Sequence, residues 1–139
     1  MSLSRRDIAR WLPALAAASA AAQPKDALPS HCYRWEDLPV KVNGENRSRD
    51  VFQGTTHSGF PIDMHETELA PGKAPHAPHR HAHEELVVLR EGSLDVTIAG
   101  RTTTVSAGSV VYVASNQEHG WKNAGSTRAR YYVMALGRA

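Results

Sequence analysis

The chain has 139 residues, enough for one domain with a buried core and too few for two of ordinary size. Its 16 basic and 14 acidic residues give a net charge of +2, but residues 1–22 hold three of the former and one of the latter, leaving 13 of each. That balance gives no electrostatic footprint for nucleic acid, and a single cysteine, Cys32, excludes both an internal disulfide and a CxxC zinc or redox motif.

Residues 1–22 have the composition of an address. Arg5, Arg6 and Arg10 precede an apolar stretch from Trp11 that ends in small residues at Ala20-Ala21-Ala22, the order of a secretory signal. The apolar part falls well short of the roughly 20 residues that span a bilayer, so no stable membrane anchor is expected. The paired arginines look like a twin-arginine signal, which implies export to the periplasm or beyond in the folded state.

Residues 23–50 are polar and interrupted by Pro24, Pro29 and Pro39. They are expected to form an extended arm with one or two short strands at a sheet edge, attached through Trp35, Leu38, Val40 and Val42. Asn43-Gly44 marks a turn. From Val51 to the end at 139 the pattern becomes a series of short strands, predicted at 51–56, 62–69, 85–91, 93–99, 101–106, 109–114, 119–123 and 129–136. Glu91-Gly92-Ser93 and Ala99-Gly100-Arg101 punctuate hairpins. The Pro- and Gly-rich link from Ala70 to Pro78 is the long connection. No internal repeat and no long amphipathic helix interrupts this series, so an all-β domain is expected, with a jelly-roll barrel favoured.

The chemistry concentrates in Pro78-His79-Arg80-His81-Ala82-His83-Glu84-Glu85 and in Gln117-Glu118-His119-Gly120-Trp121. Imidazoles with one carboxylate suit a divalent first-row metal. An extended chain places residues two apart on one face, so His79 and His81 can reach one ion. His83 and Glu85 share that parity, and a bend after His81 must turn one of the group away. His76 belongs to the rim of this region. His31, His57 and His65 have no partner visible in the sequence, although His65 falls on an inward strand position.

These residues resemble the two motifs of the cupin superfamily, in particular its small single-domain members. His79, His81, Glu85 and Gly92 match the first motif, with Gly72 one residue too early for the opening glycine. Gly108, His119 and Asn123 match the second at the right spacing, with Ala114 in place of its proline and Asn116 in place of its glycine. Asparagine tolerates the left-handed backbone that glycine supplies, so these departures affect loop stiffness rather than ligands. The resemblance implies a cupin double-stranded β-helix in which His79, His81, Glu85 and His119 bind one metal, with one or two positions open to substrate. Motif spacing sets His83 aside; its replacing one of the four stays open. Asn123 is expected to satisfy backbone groups at a turn.

The resemblance further implies a metal-dependent enzyme, a dioxygenase or isomerase, acting on a small oxygenated organic molecule, with Glu85 as the catalytic base. A binding protein without turnover is the alternative. Manganese or iron is favoured, because folding before export would let cytoplasmic supply select the ion; nickel, copper and zinc also fit the ligand set. Val87, Leu89, Met64, Trp121, Tyr132 and Met134 are candidates for either pocket lining or core. Arg90, Arg130 and Glu66 are candidates for orienting a polar substrate, with a surface position the simpler expectation. Edge-strand pairing of two copies would give a homodimer.

Overall fold

The computed structural model describes residues 27–138, and the expected signal at 1–22 lies outside them. Nine strands follow a short 3₁₀ turn at Trp35–Asp37: β1 (Val40–Asn43), β2 (Asn46–Thr55), β3 (Pro61–Leu69), β4 (Glu84–Glu91), β5 (Ser93–Ile98), β6 (Arg101–Ser106), β7 (Val110–Val113), β8 (His119–Asn123) and β9 (Ala129–Leu136). The eight strands expected from the sequence are all present, with ends shifted by a few residues at most outside β2. That strand starts at Asn46, so the arm boundary expected at residue 50 falls inside it.

All strand pairs are antiparallel and form two sheets, one in the order β1-β2-β3-β9-β4-β7 and the other β6-β5-β8. The result is the expected all-β jelly roll. Burial alternates along β4 and β9: Glu85, Val87 and Leu89 on β4 and Tyr131, Val133 and Ala135 on β9 are buried, while their neighbours are half-buried or exposed. Leu69, Leu94, Val113 and Trp121 join them in one core. A fully buried Val or Leu contributes about 1.5–3 kcal/mol relative to exposure. An exposed pair such as Lys73–Glu45 contributes roughly 0–1 kcal/mol. The core therefore holds the two sheets together.

The arm attaches differently from expectation. Val40 and Val42 are 48% and 70% exposed, because β1 is an edge strand that pairs with β2 alone. Attachment comes from Trp35, as expected, and also from Leu28, whose N–H donates to Thr55 O, and from Tyr33 against Phe52. The Arg49 guanidinium lies 3.9 Å from the Trp35 ring centre, with those of Arg90 and Arg130 farther out at 5.3 and 6.0 Å.

Under this cover, Glu66 and Glu68 are 0% and 1% exposed on the outer face of β3. Arg49 is 3.2 Å from the Glu66 carboxylate and Arg130 is 2.9 Å from that of Glu68. Burial raises the Glu66 pKa despite the opposing pull of Arg49. Glu66 is thus not a surface residue. Together with Arg90 and Arg130 it belongs to the arm's seat, on the side of the sheet away from the barrel interior.

Gly92, between β4 and β5, has φ +80°, and a Cβ there would meet Ala129 Cα and Arg128 O at 2.9 Å each. Both obstacles are backbone, so neither can swing aside. Gly92→Ala is expected to destabilise the fold by roughly 2–4 kcal/mol, from left-handed strain plus overpacking. Urea unfolding of the variant against the parent measures it.

Candidate metal centre

The extended link before β4 brings His79 against β8. His79 and His119 form an isolated antiparallel bridge, each N–H donating to the other's carbonyl at 3.0 and 2.9 Å. Across a two-strand bridge, side chains on one face meet; the His79 and His119 ring centres are 4.7 Å apart. His81 follows, its ring centre 5.0 Å from His79 and 4.8 Å from His119. The Asn116 N–H donates to His81 O at 2.7 Å and ties this link to the turn before β8. Asn116 has φ +59°, the left-handed conformation expected of it in place of glycine.

Glu85, the first inward residue of β4, projects between these rings. Its Oε2 is 3.3 Å from His119 Nε2, and its Oε1 is 3.4 Å from His81 Nε2. His119 Nδ1 is 2.8 Å from Gln117 O, and His81 Nδ1 is 2.8 Å from His83 O. A carbonyl can only accept, so each Nδ1 carries the proton. In the neutral ring Nε2 then presents a bare lone pair to a carboxylate oxygen. Two such lone pairs facing one buried carboxylate repel unless a cation stands between them. The Nε2 atoms of His81 and His119, Glu85 Oε2 and His79 Nδ1 are all buried without a hydrogen-bond partner. This arrangement could hold a metal ion, with carbonyls fixing the tautomers of His81 and His119.

The four residues selected by the motifs are therefore brought together, and His79, His81 and His119 offer nitrogens within 4.8 Å of one another. The Trp121 ring lies along His119 at 5.7 Å, and its indole N–H donates to the Tyr131 hydroxyl at 2.8 Å. Burial pushes the Tyr131 phenol far up, so it stays protonated. Trp121, Val87 and Leu89 are core residues, and Trp121 is also the wall behind His119. Met64, Tyr132 and Met134 line no pocket at this site. Strand register pairs Met64 with Met134 and sets Tyr132 opposite Glu66, on the outer face. Asn123 is fully engaged, donating to Leu69 O and Thr127 O and accepting from the Gly125 N–H.

Two histidines need separate placement. His76 is exposed at the rim, its ring edge-on to His79 at 4.2 Å. His83 lies in the expected bend, which spans Ala82-His83, yet the bend does not remove it. Its ring stacks on His81 at 3.6 Å, and its Nε2 is 3.5 Å from Glu85 Oε1. Strand parity cannot locate it, because β4 begins only at Glu84. The fixing roles of the Gln117 and His83 carbonyls also escape sequence reasoning, since every residue has a carbonyl. His65, the inward histidine of β3, faces Asp63 at 3.9 Å and belongs to neither group of candidate ligands.

The profile of the Cupin domain family matches residues 65–135. The chain is 32% identical over 97 residues to dimethylsulfoniopropionate lyase DddW of Ruegeria pomeroyi, a stretch that makes up 66% of this chain and 63% of that relative. Among solved structures, an RmlC-like cupin from Shewanella frigidimarina superposes with a TM-score of 0.66 at 17% identity, over 79% of this chain and 93% of that one. KdgF from Halomonas gives 0.67 at 14% identity, over 77% and 94%. At these identities the structural likeness concerns the fold.

Burial, reinforced by the neighbouring His76, His119 and His81, holds the His79 pKa below the ordinary 6.5, against a backbone contact from Ala77. The unfolded chain thus binds this proton at a higher pH than the folded one. The stability linked to His79 is complete above 6.5 and declines as pH falls through 6.5 toward the folded value. Calorimetry on protein stripped by a chelator should give a lower Tm at about pH 5.5 than at about pH 7.5, with a smaller drop in His79→Gln. Asn116→Gly should be nearly neutral. Asn116→Val should cost about 1–3 kcal/mol through strain at positive φ and weaken metal uptake with it, measured by unfolding and by metal titration.

Proposed function

The chain belongs to the cupin family, and from that premise we propose that it is a metal-dependent enzyme acting on a small oxygenated molecule by proton transfer. The observation that carries this reading is the pair of imidazole lone pairs held against the Glu85 carboxylate. His79, His81, Glu85 and His119 would hold the ion, with manganese or iron favoured. When bound, such an ion supplies Lewis acidity to substrate oxygens and stabilises the charge of an enolate.

The protein's own groups set the rest. The carbonyls of Gln117 and His83 fix two rings, so little reorganisation accompanies binding. The hydrogen-bonded Trp121–Tyr131 pair closes the wall behind His119 and keeps water from that side. Glu85 Oε1 faces away from His119, and we assign it the proton taken from the substrate carbon. Support for proton transfer comes from the similar protein named as a dimethylsulfoniopropionate lyase. Eliminating dimethyl sulfide from that substrate requires loss of a proton next to its carboxylate. The present chain aligns with 63% of that relative, so the substrate itself is proposed here only as a class, a small carboxylate or carbonyl compound. Export by the amino-terminal signal and pairing of two copies are part of the same proposal. The exposed Val110 and Tyr112 on edge strand β7 support pairing.

Purified protein should carry about one equivalent of a first-row metal by elemental analysis, and His119→Ala should lower the affinity by more than the roughly 10–100-fold of an outer-shell change. Loaded protein should turn over a member of a panel of small carboxylates, hydroxy acids and diketones, with dimethylsulfoniopropionate included and acrylate release followed. Glu85→Gln should lose at least about 100-fold in rate. Oxygen uptake with a diketone would redirect the reading to dioxygenation. Stoichiometric metal without turnover of any substrate would favour a binding protein.

A further inference from the structure

We propose that the cavity beside His83 is a recognition site for the substrate and takes a carboxylate that also bears a hydroxyl or an amine. Arg138 holds the acid group, and Asp63 holds the hydroxyl or amine. The inference rests on the reading of Glu85 as the group that takes the proton. The cavity, about 400 Å³, lies where β2 ends, β3 begins and β9 ends. Its walls include Gln53, Asp63, His83 and Arg138. His83 is the wall toward the clustered groups, since its Nε2 is 3.5 Å from Glu85 Oε1. Stacking on His81 at 3.6 Å holds that wall in place.

Strand register sets Asp63 opposite Glu85. Asp63 pairs with Ala135 on β9, and Ala135 pairs with Glu85 on β4. Cross-strand partners share a face, so Asp63 and Glu85 both project inward, about 10 Å apart at Cα by strand spacing. In that row only the methyl group of Ala135 stands between them. The Asp63 side chain is 39% exposed, and its one ion-pair contact among the described residues is His65 Nδ1 at 3.9 Å. Arg138 is exposed at the rim, and its guanidinium has no ion pair among the described residues. One cavity therefore presents a group that only donates and a group that only accepts, and the two do not satisfy each other. A plain carboxylate suits Arg138 but is repelled by Asp63, and a plain amine is placed the opposite way. A molecule with both groups satisfies both residues. Gln53 pairs with Asp63 in register, and its amide both donates and accepts, so it suits a hydroxyl or an amine alike. The hydroxyl or amine then lies on the side of Glu85, and the acid group lies outward at the rim.

The test titrates butyrate, γ-hydroxybutyrate, γ-aminobutyrate, n-butanol and n-butylamine against the protein as purified and after chelator treatment, by ligand-observed NMR. Either bifunctional probe should bind at least about tenfold tighter than butyrate and than its acid-free counterpart. Comparing the two bifunctional probes tells hydroxyl from amine. Asp63→Ala should bring the preferred probe down to the level of butyrate, and Arg138→Gln to the level of its acid-free counterpart. The order should survive chelation, because neither residue belongs to the metal cluster. Butyrate binding as tightly as both bifunctional probes, or an order unchanged in either variant, would overturn the proposal. So would an order seen only before chelation, which would place the acid group on the ion. If Asp63→Ala does not fold, Asp63→Asn keeps the shape without the charge and should still bind the preferred probe several-fold more weakly. The binding order without turnover of any substrate would support the recognition site and count against the enzymatic reading alone; turnover without the order would overturn the site alone.

Discussion

One buried carboxylate facing the unprotonated nitrogens of two imidazoles is the constraint around which this molecule is arranged. The tautomers follow from the Gln117 and His83 carbonyls, which accept from Nδ1 and leave Nε2 bare. Such a cluster is relieved by a metal ion or by a proton on Nε2, which turns the ring into a donor to the carboxylate. It is tolerable only on a frame that holds the groups in place, since a desolvated polar group without a partner costs about 1–3 kcal/mol. The two backbone hydrogen bonds between His79 and His119, and the Asn116 bond to His81, provide that frame.

The frame depends on backbone conformations that few residues accept. Gly92 lets β4 and β5 separate into different sheets at a point where the backbone of Arg128 and Ala129 passes too close for a side chain. Asn116 reverses the chain between β7 and β8 and so delivers His119 opposite His79. Asn123 closes the other end of β8 by binding three backbone groups. The clustered side chains are positioned by turns whose backbone groups are satisfied.

Most of the fold was legible in the sequence, and so were the four residues that converge. Alternating apolar residues between glycine-bearing turns mark β4 to β9, and histidines two apart followed by Glu85 mark the cluster. What stayed hidden depended on strand partners rather than on the strand itself. Met64 and Met134 look as inward as Val87 until register places them on the outer face. Glu66 looks like a surface acid until Trp35 and its arginines cover it. Val40 and Val42 look like anchors until β1 proves to be an edge. His83 lies in a bend, where the two-residue periodicity that serves along a strand has no meaning.

Strand order carries a consequence for biogenesis. β9 lies between β3 and β4, and it is synthesised after every strand it joins. Until it arrives, β4 has only β7 as a neighbour, and the Val87 and Leu89 faces lack the Tyr131 and Val133 packing that buries them. A nascent chain can thus own every ligand and still lack a centre, because the wedge that joins the two halves of the large sheet is missing. Closure is a late, non-local event of the slow kind. It ties the packing behind the His79, His81, Glu85 and His119 cluster to completion of the whole barrel.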